Sequence, residues 1–251
     1  MRPYLLDGGH LNGPEEFERR LIERDLGILE RTDPGTAHLL RADFASLFGD
    51  VERAMGELNI VREQVHGADA DLDHKELSIK SNLLFATDAL VLARKSLVAG
   101  APDLSSIMGY GLAIGAAQTL VKMIDDTQDH DQVLAASANA IIPLARQVAA
   151  ALKASGRTED ELAAVINAAG ELMRERKLLW IDPQPQIIAL TETTDDVSPG
   201  VHYIFRMKLT SAEAAELTGE LGWRLVDLGL VDPALTVSFM GSVVQDQRVA
   251  A

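Results

Sequence analysis

From Phe17 to Leu172 the apolar residues of this chain recur every three or four positions, and after Lys177 the interval shortens to two. An interval of three to four places apolar side chains on one face of an α-helix, whereas an interval of two places them on one face of a strand. One change of period divides the chain. The expected fold is therefore mostly α: an antiparallel helical bundle over residues 1–177, then a small α+β domain of order β-β-α-β over 178–251 with a frayed tail.

Punctuation residues divide the helical part. Pro14 opens a helix expected over 14–31, with Glu15 and Glu16 suited to its amide end. The turn Thr32-Asp33-Pro34-Gly35 follows. Leu40, Phe44, Leu47, Val51, Met55, Leu58, Val61 and Val65 then predict one long helix over 36–65, carrying a one-sided stripe that would face a bundle or a self-associating seam. Asp73 with Glu76 reads as a capping box for a helix over 73–98. Asp103 caps an uncharged helix over 104–121, within which Gly111 and Gly115 permit close packing. Asp129 starts a helix over 129–153, with a break expected near Pro143. Thr158 with Glu161 caps the last, over 158–176. In the second part, 186–191, 201–209 and 235–239 read as strands, and Thr210 with Glu213 caps the helix between the last two. Trp180 and Trp223 read as core anchors of this part.

Charge narrows the function classes. Lys and Arg number 23 against 38 Asp and Glu, a net charge of −15, and both parts of the chain are acidic. No basic face is set out for phosphate backbones, so nucleic acid is not an expected partner. Cysteine is absent, which removes disulfides, thiolate nucleophiles and cysteine metal sites. The uncharged stretch 104–121 is short for a spanning helix and carries Ser105, Ser106, Gln118 and Thr119, so it reads as a core helix. With no signal peptide and no transmembrane segment apparent, the expectation is a soluble cytoplasmic protein.

Asp125-Asp126-Thr127-Gln128-Asp129 resembles the aspartate-rich DDxxD motif of isoprenoid synthases, over these five residues alone. The resemblance implies Mg or Mn held by Asp125, Asp126 and Asp129 against a diphosphate. No second acidic motif follows on a later helix, and Asp129 also fits as a helix cap. His130-Asp131 resembles the start of a histidine–aspartate phosphohydrolase site, but His10, His38, His66 and His74 form no joining pattern with it. Asp69-x-Asp71-x-Asp73 has calcium-loop spacing. His74 stands where the loop needs glycine, and Lys80 where it needs glutamate. Arg206, Lys208 and Arg224 could gather into a small anion-attracting patch or simply be solvated. No nucleophile elbow, phosphate loop or dinucleotide fingerprint occurs.

No residue is therefore expected to be catalytic, and no cofactor is expected. The reading is a non-catalytic assembly, adaptor or structural interaction protein that self-associates or joins a larger complex, with other protein subunits as partners. The alternative is a divalent-metal-dependent enzyme acting on a phosphorylated or diphosphate small molecule through Asp125, Asp126 and Asp129. A second alternative is a small-molecule-sensing regulator.

Overall fold

The computed structural model describes residues 14–64, 70–99, 110–126, 141–179, 185–193 and 198–242. In chain order its elements are α1 (Pro14–Leu29), α2 (Pro34–Leu47), α3 (Val51–Gln64), α4 (Ala70–Asn82), α5 (Ala86–Ala99), α6 (Ala117–Asp126), α7 (Ile141–Ser155), α8 (Glu159–Glu175), β1 (Gln186–Leu190), β2 (Gly200–Met207), α9 (Ser211–Asp227) and β3 (Leu235–Gly241). The fold is mostly α with a small three-stranded sheet towards the C-terminus, as the change of period predicts.

Three of the expected helices are each two pieces. The helix expected over 36–65 stops at Leu47, because Gly49 takes a φ of +67° and Asp50 accepts the Arg53 amide at 3.2 Å as the next helix begins. The chain folds back there, so α2 packs on α3 and a continuous seam along both is excluded. On α2 the core side is Ala37, Ala42 and Ala45, while Leu40 is exposed. The helix expected over 73–98 breaks at Leu83 and Leu84, where Leu84 adopts a φ of 53°. Phe85 N donates to Lys80 O at 2.9 Å and Leu84 N to Ser81 O at 3.0 Å, the closing pattern of a helix end that glycine usually occupies. Asp73 lies inside α4 rather than capping it, and binds Lys95 at 2.6 Å.

The uncharged stretch also turns. The described helical residues 110–113 end at Gly115, whose φ is +83°, and α6 starts two residues on. Leu162 and Ile166 close over Gly115, and Leu120 closes over Gly111, so both glycines do have a packing reason. The calcium-spaced aspartates fall partly on α4, which already begins at Ala70. Asp69, Asp103, Asp129, His130, Asp131 and Trp180 lie outside the described residues. Pro143 is the third described residue of α7, which runs on through it to Ser155.

The capping boxes at Thr158–Glu161 and Thr210–Glu213 both form. β1 pairs antiparallel with β2, which pairs parallel with β3 across the α9 crossover. Val201, Tyr203, Phe205 and Met207 of β2 point inward with Leu235, Val237 and Phe239 of β3. They join the same apolar cluster as Leu58, Leu120, Leu162 and Ile166 of the helices. The Tyr203 hydroxyl, fully buried, donates to Leu112 O at 2.7 Å, and burial pushes its ionisation well upward. Among the described residues no helix is long and apolar enough to cross a membrane.

Candidate functional site

Gln118, Val121, Lys122 and Asp125 fall at helical intervals of three, one and three, which sets them on one face of α6. Opposite stand Ala149 and Lys153 of α7, followed by Arg157. Because Ala149 is small, the two helices leave a cleft of about 630 Å³ between these side chains, to which Asp126 also contributes. That volume lies in the range of small-molecule sites, roughly 300–1,000 Å³.

Two of the three aspartates singled out by the sequence thus come to one cleft. Their charge is partly committed, since Arg146 of α7 holds Asp125 at 2.6 Å. Arg157 binds Asp232 at 2.6 Å and Glu161 at 3.4 Å. Among the described residues, no cluster of three or more His, Cys, Asp or Glu side chains could hold a metal. The spacing of the sequence named the acids but not the cations. Lys153 arrives from α7 and Arg157 from the turn after it, and only the pairing of α6 with α7 brings them in.

The other candidates are placed separately. His38 meets Glu57 at 2.6 Å, tying α2 to α3. His202 on β2 meets Ser238 Oγ on β3 at 2.8 Å, and burial lowers its basicity. Arg224 is held by Glu175 at 2.6 Å and Arg206 bonds Gln186 at 3.0 Å, so both are engaged within the chain.

Trp223 corrects the sequence expectation. It is 74% exposed rather than a core anchor, because Leu217, Leu221 and Leu225 form the buried stripe of α9 and residue 223 falls off it. The outward side of α9 carries Ala215, Gly219, Gly222 and Val226 at intervals of four, three and four, with Trp223 beside them. A surface helix normally presents charged residues on that side. Nothing lies within 4 Å of where a Cβ would stand on Gly219 or Gly222. Glycine in an exposed helix costs about 1 kcal/mol relative to alanine, and no contact within the chain repays it here. Glu216, Glu220 and Asp227 border the strip on one side.

No protein-family model, curated protein or solved structure matches this chain.

Proposed function

We propose that the chain is a non-catalytic assembly or adaptor protein that docks through the outer side of α9 onto a partner with a basic rim. The carrying observation is Trp223, an exposed aromatic on a helix side otherwise built of Ala, Gly and Val. Large aromatics of this kind are the residues that dominate interface energies. The two glycines let a partner backbone approach while Trp223 supplies area. The acidic border selects the occupant. A two-fold contact between copies would bring two acidic borders of Glu216 and Asp227 together, whereas a Lys- or Arg-bearing partner meets them with opposite charge, Glu220 being held by Arg176 at 2.7 Å. The overall charge of −15 steers the same class of partner.

The test is capture by the immobilised full chain from its own cell extract, in parallel with Trp223→Ala and Val91→Ala. Val91, 64% exposed on α5, serves as an apolar control. A basic protein whose recovery falls at least about tenfold in Trp223→Ala and at raised salt, but not in Val91→Ala, supports the reading. Recovery indifferent to Trp223 overturns it. Concentration-dependent dimerisation abolished by Trp223→Ala keeps the assembly role but replaces the basic partner by a second copy.

Gly219→Ala and Gly222→Ala are expected to separate folding from docking. Each stabilises the free chain by about 0.5–1 kcal/mol in urea unfolding and weakens partner recovery.

A second reading is divalent-metal-dependent chemistry at Asp125 and Asp126, supported by their common place on the α6–α7 cleft. It requires metal to compete with Arg146 for Asp125.

A further inference from the structure

We propose that the α6–α7 cleft binds a small organic anion, with a phosphate or carboxylate head and a short apolar body, through Lys122 and Lys153. The inference rests on the cleft alone, independently of the docking side of α9, and it needs no metal.

The observation behind it is the state of the lysines. Acids outnumber bases in this chain, and three lysines of the helical part are taken up: Lys75 by Asp43 at 2.9 Å, Lys80 by Asp88 at 2.8 Å and Lys95 by Asp73 at 2.6 Å. Lys177 has no ion pair among the described residues, but it faces no second cation across a cleft there. Lys122 and Lys153 differ. Among the described residues neither forms an ion pair, although Asp126 stands four positions from Lys122 on the same helix and both line the same cleft. Helix neighbours at that spacing are within reach of each other. Asp125, the other acid of the cleft, is turned to Arg146, and Arg157 is turned to Asp232. Two ammonium groups from facing helices are thus left uncommitted across one concavity, against a single uncommitted carboxylate.

Such a pair suits an oxyanion with several acceptor oxygens, to which each lysine can donate a charge-assisted hydrogen bond. Gln118 adds a neutral amide that can donate as well. Val121 and Ala149 offer an apolar floor between the cations, so the ligand carries carbon behind its head group. The rest of the chain repels anions, which makes the cleft a local exception and selects ligands small enough to enter it.

The experiment is calorimetric titration of the full chain, in EDTA, with inorganic phosphate, phenyl phosphate, succinate and benzoate. Lys122→Ala, Lys153→Ala and the double variant are titrated beside it. Binding of phenyl phosphate or benzoate at sub-millimolar concentration is expected, weakened about tenfold by each single substitution. Preference between those two ligands assigns the head group as phosphate or carboxylate. Inorganic phosphate is expected to bind more weakly than phenyl phosphate, because it leaves the Val121 and Ala149 floor uncovered. Both lysines are exposed, and unchanged urea midpoints verify the fold of the variants. Absence of heat with all four anions overturns the proposal, as does equal affinity in the double variant. Binding that appears only with added magnesium and vanishes in Asp125→Ala/Asp126→Ala overturns it in favour of the metal reading.

Discussion

Gly170→Ala is expected to destabilise the chain by about 2–4 kcal/mol, although the same change in an open helix stabilises. Gly170 is where α8 meets the turn between α4 and α5. A Cβ there would overlap the Leu84 carbonyl oxygen and stand 2.7 Å from Leu84 Cβ and 3.0 Å from an Arg174 Nη. The turn has little room to yield, because Leu84 is fully buried and already holds a φ of 53°. Arg174, one turn beyond Gly170, donates to Leu83 O at 2.7 Å and Leu84 O at 2.8 Å, and its guanidinium lies 3.9 Å from the centre of the Phe85 ring. Those bonds satisfy carbonyls that the end of α4 leaves free. Pushing the helix away to admit a methyl group costs overpacking strain of about 1–3 kcal/mol and weakens charge-assisted bonds of about 1.5–3 kcal/mol. The gain in helix propensity, about 1 kcal/mol, offsets only part of that. Urea unfolding of Gly170→Ala beside Gly222→Ala is the check, since the two are expected to move the midpoint in opposite directions. A Gly170→Ala midpoint at or above wild type would mean that α8 and the turn are not in contact at this point.

Leu84 and Gly170 also show where sequence reading stops. A capping box is legible because its donor and acceptor are three residues apart, and both Thr158–Glu161 and Thr210–Glu213 form. The alternation through Val201, Tyr203 and Phe205 is legible for the same reason: one strand's own pleat creates it. The helix end at Leu84 is different. Leucine is a poor residue for the left-handed region, and what holds it there is Arg174, 90 positions away along the chain. No local rule contains that information. The break at Gly49 was open to reading, since Phe48-Gly49-Asp50 supplies a left-handed glycine followed by an acidic cap, but the apolar stripe through it looked continuous. Trp223 was open too. It stands two residues from both Leu221 and Leu225, off their stripe, so the spacing placed it outward while its size suggested the core. At the cleft, the aspartates of α6 form a recognisable string, whereas Lys153 and Arg157 carry no signature and depend on which helix packs against which.

Glu159→Ala is expected to cost about 1–3 kcal/mol, the range for leaving buried donors without their acceptor, because Arg94 is 39% exposed and keeps Asp160. The Glu159 side chain is 5% exposed. Its carboxylate accepts from Thr119 N at 2.9 Å, Thr119 Oγ1 at 2.5 Å, and Arg94 Nε and Nη2 at 3.1 and 2.9 Å. Thr119 is the third residue of α6, so its amide is one that the helix cannot satisfy internally. A carboxylate from the first residue of α8 therefore caps α6, opposite the positive end of its dipole, while Arg94 of α5 neutralises it. Three helices meet on one side chain. Asp160 provides the internal control. It also binds Arg94, at 2.7 Å, but its side chain is 66% exposed, so solvent screens the pair and Asp160→Ala is expected to cost at most about 1 kcal/mol. The hydrogen bond from Arg94 lowers the Asp160 pKa. Its small contribution is therefore present above the ordinary aspartate value and fades as pH falls through the lowered one. Glu159→Gln keeps the shape but turns an amide donor towards Thr119 N–H or the guanidinium, so it recovers only part of the loss. A double-mutant cycle with Arg94→Met separates the pairs, and the coupling to Glu159 is expected to exceed that to Asp160. Equal losses for Glu159→Ala and Asp160→Ala would instead assign the junction to the apolar contacts of Leu120 and Leu162 around it.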